Sequence, residues 1–236
     1  MERNILHFLS VLSVLLSLFS CSKAMDIDAK ADSSYTSSEG PFDDRASLAI
    51  GTVREQAGVR YIQLDPKSAA YVINPSEIQE IPSGTRVFLE YRRVLSSETP
   101  AFCTEAILVE WTSPLDVGEI RYELNYPEND PVSVIADWIT SVEDGFLTIH
   151  YCFPSKGKAS HDFSLYPLVT CIANEMEFRL VHEAHGDTEG TTTDGIICFP
   201  IGNYLSDTED TITIQLTYID LDRTRKTLTF DYRSPK

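Results

Sequence analysis

The sequence predicts an all-β protein, a small five-stranded barrel followed by an antiparallel β-sandwich. Three observations predict it. Short runs rich in branched and aromatic residues recur between turn residues from position 46 onward. No stretch of similar length shows the 3.6-residue apolar period of a surface helix. The runs also fall into two series, separated by the polar, turn-rich Pro127-Glu128-Asn129-Asp130-Pro131, which sets an expected boundary between residues 126 and 127.

In the first series, Ser47–Arg54, Val59–Asp65, Ala70–Asn74, Arg86–Val94 and Thr104–Thr112 are the expected strands. Five strands in so short a span suit an OB-like barrel over residues 46–126. Within Arg86–Val94, Val87, Leu89 and Tyr91 alternate with Arg86, Glu90 and Arg92, as in a strand with one buried face, and only Phe88 breaks the polar side. In the second series the expected strands are Phe146–Phe153, Phe163–Val169, Met176–His182, Gly195–Ile201, Thr211–Ile219 and Lys226–Tyr232, which make a sandwich over residues 127–236. The last two form the clearest hairpin. Ile212, Ile214, Leu216 and Tyr218 face Leu228, Phe230 and Tyr232 in alternation with polar residues, and Asp220–Thr224 supplies the turn.

Upstream of the strands, an apolar run from Ile5 to Phe19 ends in Leu18-Phe19-Ser20-Cys21. The run is shorter than the ~20 residues of a membrane span and is interrupted by serines, so residues 1–20 are expected to be a cleaved signal peptide. Ser20 is the small residue that lipoprotein processing needs, and the thiol of Cys21 is the expected site of lipid attachment. Several acyl chains on one residue anchor a protein stably where a single chain does not. Residues 21–45, rich in Ser, Asp and Ala, read as a flexible tether. These features place the protein in the cell envelope, held to a membrane by lipid. The outer membrane is the expected one, and its periplasmic and surface faces remain alternatives.

The formal charge of −17, from 19 basic and 36 acidic residues, excludes nucleic acid as a natural partner. An exported setting permits disulfides, and Cys152, Cys171 and Cys198 are the candidates, with free, buried thiols as the alternative. Cys103 is the least suited because it stands alone in the first module. The densest histidine cluster is His182-Glu183-Ala184-His185-Gly186-Asp187. It is one residue short of the His-Glu-x-x-His metal motif and leaves a strand, so a surface turn is expected and no metal site. His161-Asp162 has no nucleophile elbow to serve. His150 and Cys152 share a strand face, but an acidic domain does not lower a thiol pKa. Asp187-Thr188-Glu189 and Asp207-Thr208-Glu209-Asp210 lack the calcium-loop pattern and read as solvated loops. Trp111 and Trp138 are expected in the core, and sugar stacking on Tyr122, Tyr126 or Tyr204 has no support in the pattern. No catalytic residue and no cofactor are expected, and no ligand-binding residue is assigned.

Several segments in order resemble the NigD-like lipoproteins of Gram-negative envelopes. They are Ala49-Ile50-Gly51-Thr52-Val53 and Gly84-Thr85-Arg86-Val87, then Asp137-Trp138-Ile139, Gly145-Phe146-Leu147-Thr148-Ile149, His161-Asp162-Phe163-Ser164-Leu165 and His182 through Thr188. The resemblance spans nearly all of the chain after Cys21. It implies an OB-like module before a β-sandwich, no established enzyme activity, and association with bacteriocin loci, as with an immunity factor. The resulting expectation is a lipid-anchored, non-enzymatic protein binding an envelope or extracellular partner. A glycan-binding accessory lipoprotein and a structural lipoprotein for envelope assembly are the alternatives.

Overall fold

A computed structural model of the chain describes residues 46–65, 68–122, 129–168, 174–205 and 211–233. Cys21, the segments expected to be signal peptide and tether, Tyr126, Cys171 and the acidic stretch 207–210 lie outside these residues.

Strands β1 (Ser47–Gln56), β2 (Val59–Leu64), β3 (Ser68–Val72), β4 (Arg86–Val94) and β5 (Glu105–Pro114) close a barrel in the order β1-β2-β3-β5-β4. Every neighbouring pair is antiparallel except β3 and β5. Val53, Ile62, Val72, Val87, Leu89 and Ile107 fill the interior. Between β3 and β4, the short 3-10 turn Pro75–Glu77 brings Ile78 into that interior. Arg60 holds this plug: its Nη1 donates to the carbonyls of Ile78, Gln79 and Ile81 at 3.0, 2.8 and 2.6 Å.

The sandwich has two layers. One sheet runs β6 (Asp116–Val117), β13 (Thr191–Pro200), β10 (Phe146–Ser155), β8 (Ser133–Val134), with β9 (Ser141–Glu143) also on β10. The other runs β15 (Arg225–Tyr232), β14 (Ile212–Ile219), β12 (Glu175–Glu183), β11 (Asp162–Leu168), β7 (Glu119–Ile120). The long pairs β10–β13, β11–β12 and β14–β15 are antiparallel, whereas β12 runs parallel to β14. Inward residues of both sheets, among them Leu147, Ile149, Leu165, Phe178, Leu180, Phe199, Ile214 and Leu216, form one core. Asp144-Gly145, with φ of 50° and 82°, makes the tight turn from β9 to β10 that only such residues adopt readily.

The connection between the domains differs from the expected boundary near residue 126. The chain leaves the barrel at Pro114 and enters the sandwich at once: β6 pairs with β13 in one sheet and β7 with β11 in the other. Gly118 makes the crossing between sheets, and a Cβ there would stand 2.1 Å from the Phe199 ring. Two-residue strands carry too little alternation to be seen in a sequence.

Candidate functional site at the domain junction

Along β10, residues alternate between the sandwich core and the outer face. Phe146, Thr148, His150 and Cys152 share the outer face, and the barrel covers only its first half. There Ile50 and Phe88 of the barrel pack with Leu115, Ile139, Ile196 and Cys198 in a cluster that joins the domains. Phe88 broke the alternation of β4 for this reason: its side of the strand faces another domain instead of water.

At the centre of the covered half lies Arg86, only 1% exposed. Its guanidinium grips Asp65 with two bonds, Nη1 to Oδ1 at 3.0 Å and Nη2 to Oδ2 at 2.6 Å. It also donates to Thr52 Oγ1 at 3.3 Å and, across the junction, to Thr148 Oγ1 at 3.1 Å. The Phe146 ring lies 5.4 Å from its central carbon, within cation–π reach. Burial pushes the Asp65 carboxyl up against the downward pull of Arg86. A second tie joins Arg54 to Asp144 at 2.8 Å. Sequence alternation placed Arg86 on a solvated face; a planar fork of five donors is what lets an arginine be buried here.

Where the barrel ends, the same sheet face opens. His150 Nδ1 is 2.8 Å from Asp137 Oδ2, and its Nε2 is 3.5 Å from Asp194 Oδ2. The other oxygen of Asp137 accepts from the backbone N–H of Ile139 and Thr140 at 3.0 and 3.3 Å, which fixes a tight turn with Trp138 at its apex. Thr140 Oγ1 donates to Ile135 O at 2.6 Å and accepts from His150 N at 3.0 Å, pinning the turn to β10. Trp138 is not a core residue as expected: it is 51% exposed. Its indole stacks on Phe88 at 6.1 Å between centroids and 27° between planes, and Phe88 meets Trp111 edge-on at 5.9 Å.

The other sequence candidates are held in structural roles. His182 is buried inside the sandwich among Phe153, Phe163 and His161. Its Nδ1 donates to Pro131 O at 3.2 Å, so its Nε2 accepts from His161 Nδ1 at 2.9 Å. Burial first, and the neighbouring His161 second, push His182 down to about 4. Asp187 accepts from the backbone N–H of Lys156 and Lys158 and from Ser155 Oγ, each at 2.9 Å, and the two backbone donors hold its carboxyl well below the usual range. His185 turns away to Asp162 at 2.8 Å. The surface turn expected over His182–Asp187 is therefore only partly found: His185 is exposed, whereas His182 and Asp187 are buried, with a His161–His182 pair beside Asp187. Among the described residues, no group of three or more His, Cys, Asp or Glu side chains is arranged to hold a metal.

Cys103, Cys152 and Cys198 are free thiols. A Cys152–Cys198 bridge is excluded by register: Cys198 pairs with Thr148, four residues from Cys152, a separation of ~13 Å at ~3.3 Å per residue against the usual limit near 7 Å. Burial pushes the Cys198 thiol to about 11 and raises that of Cys152, so neither is an activated nucleophile. Tyr122 and Tyr204 bond to each other through their hydroxyls. A cavity of about 150 Å³ opens on the outer face of the second sheet, lined in part by Asn129, Arg179, Thr217 and Arg225.

Fold and junction define a two-domain all-β protein whose polar and aromatic side chains converge where a five-stranded barrel meets a β-sandwich. Residues 118–232 match the NigD-like C-terminal beta sandwich domain, so the second domain belongs to that family. Its structure is similar to that of a protein provisionally described as toxin-related from Parabacteroides distasonis, with 19% identity, TM-score 0.65, and coverage of 80% of this chain and 94% of that one. A NigD-like immunity protein from Bacteroides caccae is similar at 18% identity and TM-score 0.57, covering 81% and 98%. A protein provisionally described as a lipoprotein from Bacteroides fragilis gives 10% identity and TM-score 0.56, covering 81% and 100%. At these identities the likeness concerns the fold. No curated protein matches the sequence significantly. Among the described residues, no helix is long and apolar enough to cross a membrane.

Proposed function

We propose that this protein is a lipid-anchored, non-enzymatic component of the cell envelope, attached through Cys21, whose domain junction binds a partner. The observation that carries the binding reading is Trp138, half exposed on a turn fixed by Asp137, at a boundary between domains where ligand sites commonly form. The anchoring reading is supported by Leu18-Phe19-Ser20-Cys21 behind an apolar run. A non-enzymatic role is supported by histidines that are buried or held by carboxylates and by thiols with raised pKa values. Self-protection against a bacteriocin is the specific version favoured by the similarity to a NigD-like immunity protein.

Two experiments test this. Cys21→Ala should move the protein from the membrane fraction to the soluble fraction; retention in the membrane would overturn the lipid anchor. Crosslinking in intact cells, followed by purification, should capture a partner whose yield falls with Trp138→Ala. Capture unaffected by that change would remove the junction from the binding reading.

A further inference from the structure

We propose that Trp138 is the stacking platform of a site for a neutral saccharide, with Asp137, His150 and Asp194 as its hydrogen-bonding groups. The proposal rests on the reading of the junction as the recognition surface and names the chemistry of the ligand. The indole is large and apolar, yet 51% exposed, while Phe88 beneath it is 2% exposed. One face of Trp138 is thus backed by a ring at 27° and the side chain retains broad access to solvent. An aromatic face backed in this way suits the C–H face of a pyranose ring, which is apolar, flat and edged by hydroxyls.

Hydroxyls need acceptors and donors close to the platform. Asp137, next in sequence to Trp138, and Asp194 hold His150 between them at 2.8 and 3.5 Å. Both carboxylates and the imidazole are only partly buried, with side-chain exposures of 22, 15 and 14%. Each carboxylate has further lone pairs for sugar hydroxyls. The Asp137 turn and the hydrogen bonds of Thr140 fix the group before any ligand arrives, so binding orders few side chains. Two carboxylates in a chain of formal charge −17 disfavour uronic acids and sulfated sugars, so the proposed site favours an uncharged glycan over an acidic one.

The test is affinity electrophoresis of the mature protein through gels containing laminarin, yeast mannan, xylan, galactomannan or amylopectin, with tryptophan fluorescence as a second readout. At least one polysaccharide should retard the wild type. Trp138→Ala should weaken that interaction at least tenfold while still unfolding cooperatively in urea, Trp138→Phe should retain part of it, and Asp194→Asn should weaken it less than Trp138→Ala does. No retardation by any of the five, or equal retardation of Trp138→Ala, would overturn the proposal. Crosslinking to a protein that depends on Trp138, without polysaccharide retardation, would overturn the saccharide while leaving the junction as a binding surface. Crosslinking and retardation both indifferent to Trp138 would remove both.

Discussion

Two buried polar centres in this protein handle the cost of burial in opposite ways. At the junction, Arg86 is charged and its partners meet it from both domains: Asp65 with two bonds, Thr52 and Thr148 with one each. Inside the sandwich, His182 is kept neutral by its surroundings and linked by single bonds to His161 and Pro131. The first centre keeps its charge and depends on every partner being present. The second avoids charge and is vulnerable to protons. Burial of polar groups is thus compatible with stability in either form, but the two forms fail under different insults.

Removing the charge at the junction should have the largest effect. Arg86→Met leaves Asp65 without its partner and cuts the bond to Thr148, and should lower stability by about 3–5 kcal/mol in urea unfolding. A loss under ~1 kcal/mol would mean that the junction is held by its apolar cluster alone. Acid should act on the other centre. The folded value of His182, about 4, lies below its ordinary 6.5, so unfolding takes up a proton between them. Stability should therefore fall as pH drops from about 6.5 to about 4, by up to about 3 kcal/mol, and this contribution should level off below that. His182→Gln should flatten that slope, and an unchanged slope would assign the acid sensitivity elsewhere. Asp65 cannot supply it: its raised pKa favours the folded state as pH falls. The smallest effect belongs to Thr148→Val, which keeps the shape and removes one acceptor from Arg86 across the junction. It should cost about 1–2 kcal/mol and be silent in the Arg86→Met background, as a double-mutant cycle would read.

Long strands were legible in the sequence because alternation over eight or ten residues is a strong signal, and Arg86–Val94 begins and ends as expected. The hairpin of β14 and β15 was equally clear. The candidate site was much less so. Trp138 sits among apolar residues in sequence, yet the turn fixed by Asp137 presents it outward, a geometry set by two backbone hydrogen bonds and not by periodicity. His150 and Cys152 were rightly placed on one face, but the partners that define His150, Asp137 and Asp194, come from other segments. Arg86 looked like an exposed residue because alternation reports only one face of a strand, and here the second face is covered by another domain. Phe88 was the visible trace of that cover.

The crossing at Gly118 constrains how this architecture can be recombined. Five residues, from Asp116 to Ile120, give the sandwich a strand on each of its two sheets before the sandwich proper begins. A foreign barrel grafted onto the sandwich would therefore have to arrive with this stitch attached, glycine included, because no larger residue fits under the Phe199 ring. The two domains are modules by their cores, but as units of exchange they share a seam.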